Sequence, residues 1–288
     1  MTALLSRLRE ASAELSAAGV ESAEHDARAL AVHAVGVARP VDLLMRDELT
    51  PAQEVAFAEL VRRRALRVPL QHLVGSAGFR YLDLQVGPGV FVPRPETESL
   101  VQWVVEAVRG QGPVVVDLCT GSGAIALSLA HELLGATVHA VELDPAALVW
   151  TRRNAEARAA LGDTPVHLHL GDAATALPEL SGTVDVVVSN PPYVEDDGSY
   201  VPEPEVTDHD PAVAIWAGHD GLDVIRAVER SAHRLLRPGG LLAIEHSDRQ
   251  GRSAPALLRA AGWLEVADHR DLAGRDRFVT AVRAGERS

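Results

Sequence analysis

The sequence predicts an α/β protein: a mainly parallel β-sheet with crossover helices and an antiparallel C-terminal edge, preceded by a small helical bundle and a β-hairpin linker. Three observations predict it. From residue 114 onward short apolar runs alternate with helical stretches, and strands alternating with helices mean parallel strands joined by crossovers. The last two apolar runs, Leu264 to Ala267 and Phe278 to Val282, have no helix between them and read as an antiparallel pair. Residues 1–75 show only the three- and four-residue apolar spacing of helices. The expected division is a helical domain over 1–75, a hairpin linker over 76–90 and an α/β domain over 91–288.

In the helical part, Leu4, Leu5, Leu8, Ala11 and Leu15 recur on one face, as do Ala27, Leu30, Ala31, Ala34 and Val35. Thr50-Pro51-Ala52-Gln53 reads as a helix start, with Thr50 as N-cap, proline in the first turn and Gln53 closing a capping box. Val55, Phe57, Leu60 and Val61 continue that helix. Pro69 to Val90 carries Gly75, Gly78, Gly87 and Gly89 between short apolar runs, the pattern of a hairpin. After it, Leu100, Val101, Val104 and Val105 mark a helix. Strands are then expected at Val114 to Leu118, Thr137 to Glu142, Val166 to Leu170, Val184 to Ser189 and Leu241 to His246. The intervening helices are Ala124 to Leu134, Pro145 to Ala159 and Gly221 to Leu236, with Ser253 to Ala261 after the fifth strand.

Composition narrows the function. A hydrophobic share of 47% supports a substantial core, yet no run approaches the length of a membrane span. No signal peptide is visible at the start, and the single cysteine, Cys119, rules out an internal disulfide framework, so a cytoplasmic protein is expected. All 27 basic residues are Arg and the net charge is −13. That acidity disfavours unaided, stable binding to nucleic acid, whose phosphates are neutralised by Lys and Arg.

Two segments carry chemistry. Asp117-Leu118-Cys119-Thr120-Gly121-Ser122-Gly123-Ala124 joins the first sheet strand to its helix, and its glycines let backbone approach a ligand at a helix N-terminus. Glu142 closes the next strand, where a carboxylate binds a ribose hydroxyl pair. A nicotinamide enzyme shares this much. Asp117 favours S-adenosylmethionine, because a carboxylate repels a pyrophosphate and attracts an ammonium and a sulfonium; it is also suited to capping the loop's own N–H groups. Asp172 and Ala173, after the third strand, suit an adenine.

The second segment is Asn190-Pro191-Pro192-Tyr193, at the end of the apolar run Val184 to Val188. Prolines have no N–H and a fixed φ. The turn therefore offers carbonyls and the Asn190 oxygen as acceptors, with Tyr193 as a flat surface. Such a site suits a planar –NH2, whether of a carboxamide or of a nucleobase. A plain proline turn is the alternative.

The order Asp117–Leu127, Ala140–Asp144 and Ser189–Tyr193 resembles class I methyltransferases that act on a planar nitrogen. Phe91-Val92-Pro93-Arg94-Pro95-Glu96-Thr97-Glu98 and Pro69 to Gly75 narrow the likeness to the protein-(glutamine-N5) methyltransferases of peptide chain release factors. Asp208 to Pro211, Arg237 to Gly240 and Arg270 to Gly274 extend it. The resemblance implies a Rossmann-like methyltransferase fold and methylation of the glutamine in a Gly-Gly-Gln motif. It implies cofactor contacts at Cys119, Thr120, Gly121, Ser122, Gly123, Glu142, Asp172, Ala173 and Asn190, and substrate contacts at Asn190, Pro191, Pro192 and Tyr193. Where this chain has Cys119 the family often has Gly, so the side chain must point away from the cofactor or narrow its slot. Adenine-N6 methylation of RNA or DNA and glutamine methylation of a ribosomal protein stand as rivals.

Two charged stretches remain. Arg62, Arg63, Arg64 and Arg67 read as a solvated helix end or as a docking patch for an acidic or RNA-containing partner. Val194 to Asp210 holds seven acidic residues and no Lys or Arg, and reads as a solvated loop or as a gate that attracts a basic protein surface. No histidine pair has convincing metal spacing.

Overall fold

Helices α1 (Ala3–Ala17), α2 (Ala23–Val35), α3 (Pro40–Leu43), α4 (Pro51–Ala65) and α5 (Leu70–Val74) form in the N-terminal part of the computed structural model. The structure describes residues 3–37, 39–43, 45–108, 110 and 112–285. By contacts the chain falls into two compact units: Met1–Ser76 with Glu203–His209, and Ala77–Pro202 with Asp210–Ser288.

In the first unit, Leu4, Ala11, Leu15, Leu30, Phe57 and Val61 pack as one core. The start of α4 forms as its sequence dictates: Thr50 Oγ1 accepts from the Gln53 N–H at 3.4 Å and Gln53 Oε1 from the Thr50 N–H at 3.0 Å. Phe57 and Val61 are buried from α4, but Val55 is exposed. The arginines at the end of α4 are neither a free patch nor a uniformly solvated face. Arg64 is buried between Asp26 (2.7 Å) and Glu205 (2.8 Å), Arg67 holds Glu205 at 2.6 Å, and Arg62 pairs with Glu59 at 2.7 Å. A short helix, α9 (Pro204–Thr207), carries Glu205, so this stretch of the acidic segment belongs to the helical unit.

The second unit opens with strands β1 (Ser76–Phe79) and β2 (Leu82–Gln85), a separate two-stranded sheet. Its main sheet contains β3 (Val114–Leu118), β4 (Thr137–Glu142), β5 (His167–Leu170), β6 (Val184–Ser189), β7 (Leu236–Glu245), β8 (Leu264–Arg270) and β9 (Asp276–Val282), in the spatial order β5-β4-β3-β6-β7-β9-β8. β5 through β7 run parallel, and β9 pairs antiparallel with β7 and β8. The order reverses between β3 and β6, and such a switch point is where open α/β sheets bind ligands.

Helices α6 (Glu98–Val108), α7 (Ala124–Glu132), α8 (Pro145–Ala160), α10 (Asp223–Leu235) and α11 (Ser253–Ala260) cover the sheet. One core, with Leu100, Val104, Leu127 and Leu129, lies on one face; the other, with Ile225, Val228, Leu235 and Leu258, lies on the opposite face. The strands β3, β4 and β6 begin and end where their apolar runs do. β7 starts earlier than its apolar run, because Leu236 pairs with Val184 before an irregularity at Val184/Val186 lets Leu241 pair with Val186. No described helix is long and apolar enough to cross a membrane.

Candidate active site

Register places the chemistry-bearing residues along one edge of the sheet. Leu118 pairs with both Val141 and Ser189, and Glu142 pairs with Leu170. The segments after β5, β4, β3 and β6 therefore emerge side by side, across about 14 Å at ordinary strand spacing. They carry Asp172–Ala173, Glu142, Cys119–Gly123 and Asn190–Tyr193.

The glycine loop is held from beneath by Asp117, which is fully buried. Its Oδ2 accepts from the Thr120 hydroxyl at 2.6 Å and the Ala126 N–H at 3.1 Å. Its Oδ1 is buried with no partner among the described residues. Burial pushes this carboxyl up to about 7, against the pull of those two donors. A buried carboxylate oxygen without a donor fits a cationic ligand group such as the ammonium of S-adenosylmethionine. Glu142 ties the loop from the side: Oε2 accepts from the Gly121 N–H at 2.8 Å and Oε1 from the Asp144 N–H at 2.9 Å. Burial raises its pKa and these backbone donors oppose the shift. Each oxygen keeps a second lone pair for a ligand hydroxyl.

Gly123 has φ +87°, and a Cβ there would meet Leu127 and Thr151 at 3.0 Å. Only glycine suits both the conformation and the space. Thr151 Oγ1 donates to the Gly121 carbonyl at 2.5 Å, and Asn154 Nδ2 to the Ser122 carbonyl at 3.0 Å, so α8 fixes the loop's shape. Asp172 is exposed, with Oδ1 on the Ala174 N–H at 2.8 Å, and Ala173 is buried.

Cys119 stands at φ +63°. That left-handed conformation explains why glycine suits the position, and the thiol packs against the apolar core under the sheet. Burial raises its pKa, helped by Glu142 and Asp117, so the thiol stays protonated and unreactive. Relief of the left-handed strain is worth about 1–2 kcal/mol and a new glycine costs ~0.5–1 kcal/mol. Cys119→Gly is therefore expected to unfold in urea within about 1 kcal/mol of the wild type, whereas a β-branched Cys119→Val loses about 2 kcal/mol.

Asn190 follows β6, whose last residue Ser189 donates its hydroxyl to the Leu118 carbonyl at 2.6 Å. Asn190 Nδ2 donates to Thr97 Oγ1 at 3.2 Å. Among the described residues no group donates to Asn190 Oδ1 or to the Pro191 carbonyl. The Tyr193 hydroxyl donates to Glu245 Oε1 at 3.3 Å, and burial raises the Tyr193 pKa. Behind Tyr193, Gln250 Nε2 donates to its carbonyl at 3.2 Å and to that of Gly221 at 3.2 Å. Gly221 itself, at φ +66°, would drive a Cβ into the Tyr193 carbonyl.

Several of these residues escaped the sequence reading. Thr97 lies inside the Phe91–Glu98 motif, which marks the family and leads into a helix but points to no ligand contact. Glu245 ends β7, fully buried; burial pushes it up to about 7, opposed by the Thr97 hydroxyl and Arg277. A carboxylate ending an apolar strand was the available signal for Glu245. In the acidic segment, Glu195 pairs with Arg249 at 3.1 Å and Asp210 with Arg94 at 3.4 Å. Together with Glu203 and Glu205, already paired to arginines, much of the supposed gate is neutralised internally.

Residues 7–75 match the PrmC N-terminal domain and residues 81–202 the methyltransferase small domain. A "Release factor glutamine methyltransferase" of Streptomyces coelicolor is 52% identical over 99% of this chain and 99% of its own length. This chain belongs to the release factor glutamine methyltransferase family. A relative from Streptomyces pristinaespiralis, 43% identical over 97% of this chain and 95% of its own, bears another name: "4-amino-L-phenylalanine/4-methylamino-L-phenylalanine methyltransferase". Among solved structures, a methyltransferase from Pyrococcus furiosus superposes with a TM-score of 0.52 at 20% identity, over 71% of this chain and 90% of that one. The family's fold is the class I methyltransferase fold, with the antiparallel edge seen here at β7, β9 and β8. The chain is accordingly a methyltransferase.

Proposed function

We propose that this chain methylates the side-chain amide nitrogen, N5, of the glutamine in the Gly-Gly-Gln motif of peptide chain release factors, using S-adenosylmethionine. The observation that carries the reading is Asn190. With Nδ2 committed to Thr97, Oδ1 and the neighbouring Pro191 carbonyl are two acceptors without donors among the described residues, as a planar –NH2 requires. When bound, S-adenosylmethionine supplies an electrophilic methyl. Asp117, Cys119, Thr120, Gly121, Ser122, Gly123, Glu142, Asp172, Ala173 and Asn190 would hold it.

The chain's own task is to make a poor nucleophile react. A carboxamide lone pair is delocalised into its carbonyl. Asn190 Oδ1 and the Pro191 carbonyl accept the two amide hydrogens, align the nitrogen and favour the positive charge that develops on it. Pro192 stiffens the turn, and Tyr193 packs on the amide plane. The attacking nitrogen needs no strong base beforehand, because its proton becomes acidic only after transfer. The helical residues 1–75 are assigned to gripping the protein substrate, with 76–90 as linker and 91–288 as the transferase domain. Release factors place this work in the cytoplasm.

The Streptomyces pristinaespiralis relative favours a second reading, an aryl amine as acceptor, since that group is also a planar –NH2. Adenine-N6 methylation fits the same turn but not the net charge of −13. Incubation with labelled cofactor and, in parallel, a release factor, the same factor with its Gly-Gly-Gln glutamine replaced by Glu, 4-aminophenylalanine and RNA separates them. Label is expected in the intact factor alone. Equal labelling of the Glu variant, or faster labelling of the amine or RNA, overturns the reading.

A further inference from the structure

The turn that carries Asn190 has few ways to move. Its upstream end is set by the sheet, where Ser189 pairs with Leu118 and with Ile244. Pro191 and Pro192 then have φ fixed by their rings. With two successive φ angles locked, the direction of the Pro191 carbonyl follows from how the downstream end, Tyr193, is held.

Gln250 holds it. This side chain is 2% exposed and closes the short turn Asp248–Gln250 after β7. Its amide stands one way round. The Ser247 N–H, which only donates, lies 3.0 Å from Gln250 Oε1. Nε2 therefore faces the other side, where three groups that only accept meet it: the carbonyls of Tyr193 at 3.2 Å, Gly221 at 3.2 Å and Asp220 at 3.4 Å. The turn bearing Gln250 is itself anchored. The His246 N–H donates to the Arg277 carbonyl at 2.9 Å, and its ring nitrogens lie 2.8 Å from the Ser247 carbonyl oxygen and 2.8 Å from Asp268 Oδ1. The same peptide that Gln250 grips by its carbonyl is gripped by its N–H, which Val194 donates to the Ile215 carbonyl at 3.0 Å. The junction has no spare room: a Cβ on Gly221 would press on the Tyr193 carbonyl and stand 2.7 Å from Gln250 Nε2.

We propose that Gln250 is a positioning residue for methyl transfer: it clamps the Tyr193–Val194 peptide and so aims the Pro191 carbonyl at the acceptor nitrogen. The inference deepens the amide-methylation reading above and rests on it. Gln250 acts through the turn and needs no contact with the acceptor. Without its amide, the Tyr193–Val194 peptide keeps only its N–H hold and rocks about it. The stiff proline pair carries that motion to the acceptors of the cradle. A misplaced acceptor slows the chemical step more than it weakens binding.

Steady-state kinetics with a release factor, at saturating cofactor and with kcat and KM resolved, test it in Gln250→Leu, Gln250→Glu, Gly221→Ala and Asn190→Ala. Calorimetry gives cofactor affinity and stoichiometry, which counts the folded enzyme. Gln250→Leu is expected to lose about a hundredfold in kcat, with full cofactor stoichiometry and with KM and cofactor affinity within about threefold of wild type. Gly221→Ala displaces the same carbonyl with Gln250 intact and is expected to lose kcat in the same way. Gln250→Glu is the finer test. Its carboxylate sets an acceptor against three carbonyls, and once protonated it donates to them again. Burial raises a carboxyl's pKa, so its kcat relative to wild type is expected to rise about tenfold as pH falls from ~8.5 to ~6, while that of Gln250→Leu stays flat. Wild-type kcat in Gln250→Leu or in Gly221→Ala, a loss confined to KM or cofactor affinity, or a Gln250→Glu enzyme as impaired as Gln250→Leu at every pH overturns the proposal. Near-normal turnover by Asn190→Ala sinks the underlying cradle reading instead; an inactive Asn190→Ala beside a fully active Gln250→Leu sinks only the present one. Should the variants fail to fold, the unmodified protein still decides. The 15N-labelled side-chain –NH2 of Gln250 is expected to exchange both protons slowly, and exchange as fast as that of a free amide contradicts the clamp.

Discussion

Asn190→Ala is expected to lower kcat about a thousandfold, the loss of ~4 kcal/mol of transition-state stabilisation, while cofactor affinity stays within about threefold of wild type. The reason is local. Among the described residues, Asn190 Oδ1 and the Pro191 carbonyl at the end of β6 accept from no internal donor. Removing one leaves an amide hydrogen unheld, so the nitrogen rotates away from the line of attack and its developing charge loses a dipole. The holds proposed for the cofactor lie elsewhere, on Asp117 and Glu142 beneath the glycine loop. Single-turnover kinetics separate the chemical step from binding. A variant with near-normal kcat, or one whose loss lies wholly in cofactor affinity, contradicts this assignment.

The second large effect concerns Asp117. Asp117→Asn is expected to weaken cofactor binding by about 10- to 100-fold, the range of a charge-assisted hydrogen bond worth roughly 1.5–3 kcal/mol. The asparagine still accepts through one oxygen from Thr120 and Ala126, so the loop is expected to survive. pH gives the sharper test. Burial has pushed the Asp117 carboxyl up to about 7, so without ligand it is protonated below that pH and charged above it. A cationic ligand group binds the charged form. Wild-type affinity is therefore expected to rise as pH climbs through about 7, with net proton release on binding below it, and the Asn variant to lack that dependence. The stability of the ligand-free protein runs the other way. A carboxyl whose folded pKa is raised contributes stability present below its unfolded pKa of 3.8 and lost as pH rises through about 7. Glu245 and Asp210, also pushed up to about 7, add to the same trend. Calorimetry in buffers of differing ionisation enthalpy reads the proton release; a pH-independent wild-type affinity contradicts the role given to Asp117.

What the sequence made legible was local. The runs at β3, β4 and β6 gave their strand bounds because a strand buried on both faces is a nearly unbroken apolar run. The capping box at Thr50 and the glycine loop were readable for the same reason, since their partners lie within a few residues. What stayed hidden was tertiary. The burial of Arg64 depends on Asp26 and Glu205, which lie far apart in sequence. The start of β7 at Leu236 depends on pairing with Val184. Cys119 gave no sign of its left-handed backbone, because φ is not written in composition. In the proposed site the residues assigned to ligands stand out in the sequence, as each sits in a short motif. Those that orient them do not: Thr97 reaches Asn190 across 93 positions and Tyr193 reaches Glu245 across 52.

The central claim is that the turn after β6 holds a planar side-chain nitrogen opposite an electrophilic methyl. Tandem mass spectrometry of a release factor treated with this enzyme and its cofactor tests that claim most directly. One added methyl on the side-chain nitrogen of the Gly-Gly-Gln glutamine, absent when Asn190→Ala is used, is the result predicted here. A methyl on any other atom of the factor, or the same modification at full yield from the Asn190 variant, contradicts it.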